Sequence, residues 1–356
     1  MDAPAARLHK MDQLPPGLLG APTRELSRVL PGPTLIHLPG RRPEPLFVSV
    51  LLHGNEDTGL KAVQALLRRY VPGGGPRELP RALTLFIGNV AAARHGVRRL
   101  AGQPDYNRVW PGALDDGTPE HALMRQVVDE MRARSVFASV DVHNNTGLNP
   151  HYACINRRDH GFYHLATLFS RTVVYFTTPR GVQTAAFATL CPAVTLECGQ
   201  PGNPRSETHA LEYLDACLHL AALPSHPVAP QDIDLFHTVA VLKVPEEVSL
   251  GFGAGDAALR LTEGLDHLNF RELPAGTRLG WIRPGSGARI QAYDEHGREV
   301  GARYLTDQGG ELRVTRPVMP SMLTVDPVAI RQDCLGYLME RLPLESPPVS
   351  GAAAGG

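Results

Sequence analysis

The sequence predicts an α/β fold in which a mixed central sheet is flanked by helices and followed by a smaller C-terminal all-β domain. Two observations carry this expectation. Between residues 46 and 225, apolar strand-like runs alternate with amphipathic helical stretches, the pattern of a sheet covered by helices. From His237 to about Val325 the runs become short, β-branched and separated by Gly, Pro and Asp turns. A chain of 356 residues has room for both units.

The elements follow in order. Residues 1–45 are Pro-rich, with one short apolar run at Thr34-Leu35-Ile36, and read as an irregular segment packing on the core. Residues 46–52 are almost continuously apolar, as expected of a strand buried on both faces. A helix follows over 59–70, with Leu60, Val63, Leu66 and Leu67 on one face, and the Gly/Pro-rich residues 71–76 break it. Residues 83–87 form the next strand, and a helix over 119–133 starts with Pro in its first turn. Strands at 136–142 and 152–156, a helix at 162–169, strands at 172–176 and 193–197, and a helix at 205–220 complete a catalytic domain of 46–225. The β-rich domain covers 226–342, with strands at 238–244, 277–282, 289–293 and 311–314 and a closing helix over 326–341. Residues 343–356, rich in Pro, Gly and Ala, read as a disordered tail.

Composition excludes several classes of function. Hydrophobic residues make up 43% and charged residues 20%, which is globular rather than disordered. A formal net charge of -1 provides no broad footprint for nucleic acid or an anionic membrane. There is no apolar stretch of about 18 residues to span a bilayer. The N-terminus lacks the pattern of a signal peptide, so a cytoplasmic setting is expected. The five cysteines, with no Cys-x-x-Cys among them, read as buried free thiols. Cys198 adjoins Glu197, but strand neighbours point to opposite faces, so it reads as a packed thiol.

The spacing His-x-x-Glu occurs three times, as His53/Glu56, His209/Glu212 and His296/Glu299. His209 lies in an amphipathic helix, where i,i+3 pairs are ordinary and solvated. His296 lies in a polar Gly-containing segment that reads as a hairpin turn. His53-Gly54-Asn55-Glu56 differs, because it follows a buried strand. Two further strands end in reactive residues: Asp141-Val142-His143-Asn144-Asn145-Thr146-Gly147, and Glu197 before Cys198-Gly199. In open α/β sheets, ligands bind at the carboxyl ends of strands. Two imidazoles and a carboxylate give Zn2+ three protein ligands and leave a fourth position for water, which zinc acidifies. His53, Glu56 and His143 are the candidate ligands and Glu197 the candidate base. Asp105 and Asp141 are candidates to fix the histidine tautomers. Arg98, Arg99 and Arg108 lie between the ligands, suited to an oxyanion or a substrate carboxylate. A solvated loop whose arginines pair with surface acids is the alternative.

In this order the motifs resemble the succinylglutamate desuccinylase/aspartoacylase family, relatives of the zinc carboxypeptidases. The resemblance covers roughly residues 46–205. It implies a zinc-carboxypeptidase-like fold, one Zn2+ per chain, and hydrolysis of an amide in a small carboxylate-bearing N-acyl amino acid. By matched position, His53, Glu56 and His143 resemble its metal ligands and Glu197 its general base. Asn107 and Arg108 resemble the pair that binds the substrate carboxylate, and Asp105 the acid behind the first histidine. Arg99 resembles the arginine that polarises the scissile carbonyl, with Arg98 competing for that role. The residues that read the acyl group have no matching motif; Tyr152 and Arg180 lie in plausible loops. A carboxypeptidase acting on short peptides and a non-catalytic binding relative remain as alternatives, and the oligomeric state, possibly a homo-oligomer, is open.

Overall fold

The computed structural model describes residues 7–70 and 77–344. The expected break at 71–76 and nearly all of the expected tail lie outside these residues. The first half contains β1 (His9–Met11), β2 (Thr34–Leu38), β3 (Gly40–Val50), α1 (Thr58–Tyr70), β4 (Leu79–Ile87), α2 (Val90–His95), α3 (Pro119–Arg132), β5 (Ala138–His143), β6 (Tyr152–Ile155), α4 (His160–Thr167), β7 (Thr172–Tyr175), α5 (Gln183–Phe187), β8 (Ala193–Glu197) and α6 (Pro204–His219). Then come β9 (Asp234–Lys243), β10 (Leu250–Phe252), β11 (Leu259–Leu261), β12 (Arg278–Ile282), β13 (Gln291–Tyr293), α7 (Gly301–Tyr304), β14 (Leu305–Gln308), β15 (Glu311–Val314), β16 (Met319–Ser321), α8 (Pro327–Gln332) and β17 (Gly336–Arg341).

The central sheet is mixed, in the order β1-β2-β4-β3-β5-β8-β6-β7-β9-β17-β16, with β13 on β9. A second sheet of five strands, β10-β11-β12-β15-β14, lies in the C-terminal region. The fold class expected from the sequence is therefore the one observed. At the centre, β3, β5 and β8 run parallel, pairing Val50 with Val142 and His143 with Glu197. β5 and β8 are buried throughout and β3 from Pro45 onward, as strands covered on both faces should be. Among the described residues no helix is long and apolar enough to cross a membrane.

Three expectations need correction. Residues 1–45 are not simply irregular: β1 and β2 form one edge of the central sheet, and β3 already begins at Gly40. Thr34, Leu35 and Ile36 are buried there, but a short strand behind prolines leaves little periodic signal. Residues 226–342 do not stand wholly apart, because β9, β13, β16 and β17 extend the central sheet. Residues 326–341 are not one helix either: α8 stops at Gln332 and β17 pairs antiparallel with β9. Buried Leu338 and Met339 between partly exposed neighbours do not separate a helix from a strand over so few residues.

The turn after β3 is tightly held. Leu51 is buried with a left-handed φ of 55°, and its carbonyl accepts a bond of 2.6 Å from the Asn89 amide. A Cβ on Gly54 would stand 2.2 Å from the Ala93 nitrogen of α2. Only glycine lets this loop pass against the helix. Gly54→Ala should therefore destabilise the protein by about 1–3 kcal/mol, as overpacking does. A urea midpoint equal to that of the parent would contradict this account of the turn.

Candidate active site

Three strand ends and one loop converge. His53 and Glu56 follow β3, His143 ends β5, and Glu197 ends β8 directly opposite His143 in register. All four are buried, with 4–7% of their surface exposed. One oxygen of Glu56 lies 2.8 Å from His53 Nδ1 and the other 2.8 Å from His143 Nδ1. The outer ring nitrogens face acids: His53 Nε2 is 3.0 Å from Asp105 and His143 Nε2 is 2.7 Å from Asp141. Asp141 in turn accepts from Ser49 Oγ at 2.6 Å, across the β3–β5 register.

This arrangement suits a divalent metal. Each outer acid accepts a hydrogen bond from Nε2–H, which keeps the proton there and turns an Nδ1 lone pair inward. Ligand atoms of His53, Glu56 and His143 all lie within 4.8 Å of one another. Charge points the same way. With neutral rings, Glu56, Asp105 and Asp141 carry three negative charges in a buried site that Arg98 only partly offsets. The protein's own electrostatics register that excess. Burial lowers the basicity of both imidazoles, but Asp141 and Glu56 outweigh it at His143, and Glu56 and Asp105 at His53, so both are raised. Burial opposes ionisation of Glu56 too, yet the two histidines hold its carboxyl well below the usual range.

Glu197 behaves differently. Burial pushes its carboxyl up to about 7, and Asn145 Nδ2 donates to it at 3.2 Å. A carboxylate poised near neutrality can both take and return a proton. Cys198, the next residue, is fully buried with its thiol raised by that burial, in keeping with a packed side chain.

The arginines divide otherwise than the resemblance implies. Arg99 donates to the Gln103 carbonyl at 2.8 Å and does not line the cavity. Arg98 does: its guanidinium contacts Asp105 and stands 3.7 Å from Glu56. Arg108 also lines the cavity, but its Nη2 is bound to both oxygens of Asp333, at 2.9 and 3.1 Å, and its Nη1 to the Asn107 carbonyl. It does not stand free as a clamp. Asn107 accepts from the Gln183 amide at 2.9 Å and lies 3.3 Å from His143 Nε2, tying α5 to the ligand. Tyr152 is in the cavity wall, whereas Arg180 is exposed outside it.

The cavity is small, about 90 Å³ in volume. Thr238, Ser321, Met322, Asp333 and Tyr337 from the C-terminal region close one side. Sequence reasoning missed all five; they lie far along the chain in no motif, and only the sheet order brings them here. The two rejected spacings stay away from the site. His296 lies in a turn, its amide on Asp294. His209 is not merely solvated: its Nε2 binds the Phe169 carbonyl at 2.8 Å and its ring stacks on His151.

A mixed α/β sheet whose parallel strand ends carry a buried His–Glu–His group and an adjacent carboxylate defines the class: an α/β protein with a candidate metal centre at its strand ends. Residues 45–220 match the succinylglutamate desuccinylase/aspartoacylase catalytic domain, so this part of the chain belongs to that family. Among solved structures it is similar to the succinylglutamate desuccinylase from Chromobacterium violaceum, at 19% identity and a TM-score of 0.55, covering 85% of this chain and 87% of that one. It is similar to a succinylglutamate desuccinylase/aspartoacylase from Rhodobacter sphaeroides, at 14% identity and a TM-score of 0.55, over 86% and 88%. A succinylglutamate desuccinylase from Vibrio parahaemolyticus aligns at 14% identity and a TM-score of 0.51, over 78% and 83%. These likenesses establish the fold. Comparison with curated protein sequences gives no match.

The acid behind each ring leads to a prediction. Asp141→Asn keeps the shape but offers no anionic acceptor for the Nε2 proton, and should weaken divalent-metal binding about 10–100-fold. Chelator competition with the folded protein measures this; unchanged affinity would remove Asp141 from the site.

Proposed function

We propose that this protein is a zinc-dependent amidohydrolase that removes the acyl group from a small N-acyl amino acid or a close derivative. The observation that carries the reading is the placement of Glu197 beside His143, in register on the neighbouring strand and in the same cavity as His53 and Glu56. A site built only to bind needs no buried carboxylate tuned near neutrality. Family membership supports the reaction type.

His53, Glu56 and His143 would hold zinc through two Nδ1 atoms and a carboxylate. Zinc at that position supplies a Lewis acid for the amide carbonyl and lowers the pKa of attacking water. Glu197 accepts the proton of that water and passes it to the leaving nitrogen, so one carboxyl serves as base and then as acid. Arg98, rather than Arg99, faces the cavity with a guanidinium that can stabilise the oxyanion developing on the carbonyl. Asn107 lies beside His143 and accepts from the Gln183 amide at the start of α5. The C-terminal residues that close the cavity favour small substrates over long peptides. Five buried free thiols fit a reducing, cytoplasmic setting.

Glu197→Gln tests the assignment. The zinc-loaded variant should keep its metal and lose about 10²–10⁴-fold in kcat on N-acyl substrates. Metal analysis and turnover, with and without chelator, are the readouts; a variant as active as the parent would reject Glu197 as the base.

A further inference from the structure

Resting on the deacylase reading above, the geometry points to a substrate with no carboxylate beside the scissile amide: we infer that the site takes small N-acyl amines or amino-acid amides, and that Asp333 is the residue that rejects a free carboxylate.

Asp333 sits between α8 and β17, and its carboxylate lies between two guanidiniums. Arg108 Nη2 reaches both of its oxygens, at 2.9 and 3.1 Å, and Arg98 Nη2 reaches one, at 3.3 Å. A carboxylate held by paired arginines is what an anionic substrate would need to become. Here the protein provides its own. Other donors of the two forks are held elsewhere: Arg108 Nη1 donates to the Asn107 carbonyl, and Arg98 Nε to Asp105. Arg98 and Arg108 are balanced by Asp105 and Asp333, two charges against two. Among the described residues lining the cavity there is no other arginine and no lysine. An incoming carboxylate must displace Asp333 or lie beside it unpaired, and like charges side by side cost several kcal/mol at a desolvated contact.

The remaining surfaces agree. Val174, Phe176, Val182 and Met322 give the cavity an apolar wall. On the other side of Asp333 a second cavity of about 320 Å³ is lined by the acids Glu56, Asp326 and Asp333 against one cation, Arg98. That potential repels anions and admits neutral or cationic groups. The same pairing speaks against a carboxypeptidase, whose substrates end in a carboxylate.

The test compares N-acetyl-leucine with N-acetyl-leucinamide, a pair differing only in the group that Asp333 would meet. Binding is measured by calorimetry on zinc-loaded Glu197→Gln protein, which does not turn the ligand over, and hydrolysis on the unaltered enzyme. The amide should bind at least about tenfold more tightly than the acid. Adding Asp333→Asn, which keeps size but leaves Arg108 unneutralised, should reverse the preference. Equal or tighter binding of the acid when Asp333 is present would overturn the inference, as would binding of neither ligand. A preference unchanged by Asp333→Asn in a protein with the parental melting temperature would also overturn it. The comparison with Asp333 in place needs no folded Asp333 variant. Amide-selective binding without hydrolysis of either compound would refute the deacylase reading and leave the selectivity standing.

Discussion

The site depends on one carboxylate. Glu56 spans the Nδ1 atoms of two histidines, and each histidine is backed by a further acid, giving a chain Asp105–His53–Glu56–His143–Asp141. No member of that chain is stable in the interior alone, because a buried charge without a partner costs several kcal/mol. Together they are viable only if positive charge is added, either as protons on both rings or as a divalent ion between them. Raised histidine basicity and metal-ligand geometry are therefore two expressions of one charge imbalance. Arg98 reaches both Glu56 and Asp105 and offsets part of it.

The fold supplies that chain by ordinary strand geometry. Asp141 and His143 are two residues apart on β5, so both side chains leave the same face, one as ligand and one as support. Parallel register then sets Glu197 opposite His143 and Ser49 opposite Asp141. His53 and Glu56 share the loop after β3, and that loop is pinned by the left-handed Leu51 and by the close approach of Gly54 to α2. Strain at such a position persists only where its surroundings determine it.

These features decide what could be read from the chain. The convergence of His53, Glu56, His143, Asp141 and Glu197 was legible because each follows from local sequence: an apolar strand leading into a polar residue, or an i,i+2 pair. The alternation of strand and helix gave the central sheet for the same reason. Arg98 and Arg99 could not be separated, since a loop without period does not say which neighbour turns inward; hydrogen bonding of Arg99 to Gln103 decides it. Edge strands β1 and β2 were hidden by their brevity, and β17 by an apolar pattern that fits a helix equally well. Asp333 was not legible at all. Its importance lies in a contact with Arg108 across 225 positions, formed only because β17 pairs with β9.

That pairing makes the cavity a product of both parts of the chain. Tyr152, Cys154 and Val174, which line it, pack with Phe236, Met319 and Met339 in one buried cluster. The seam joining β6 and β7 to β9, β17 and β16 is thus also the wall against which a substrate lies. A close-packed seam of this kind resists local change, because altering a side chain there disturbs both the joint and the pocket. Gly147 shows how near the two parts come: a Cβ there would stand 2.2 Å from the Leu323 carbonyl oxygen. The residues suited to hold a metal come from the first part of the chain, while Thr238, Ser321, Met322, Asp333 and Tyr337, which close one side of the cavity, come from the second. Motifs around His53, His143 and Glu197 therefore mark the first group and are silent on the second.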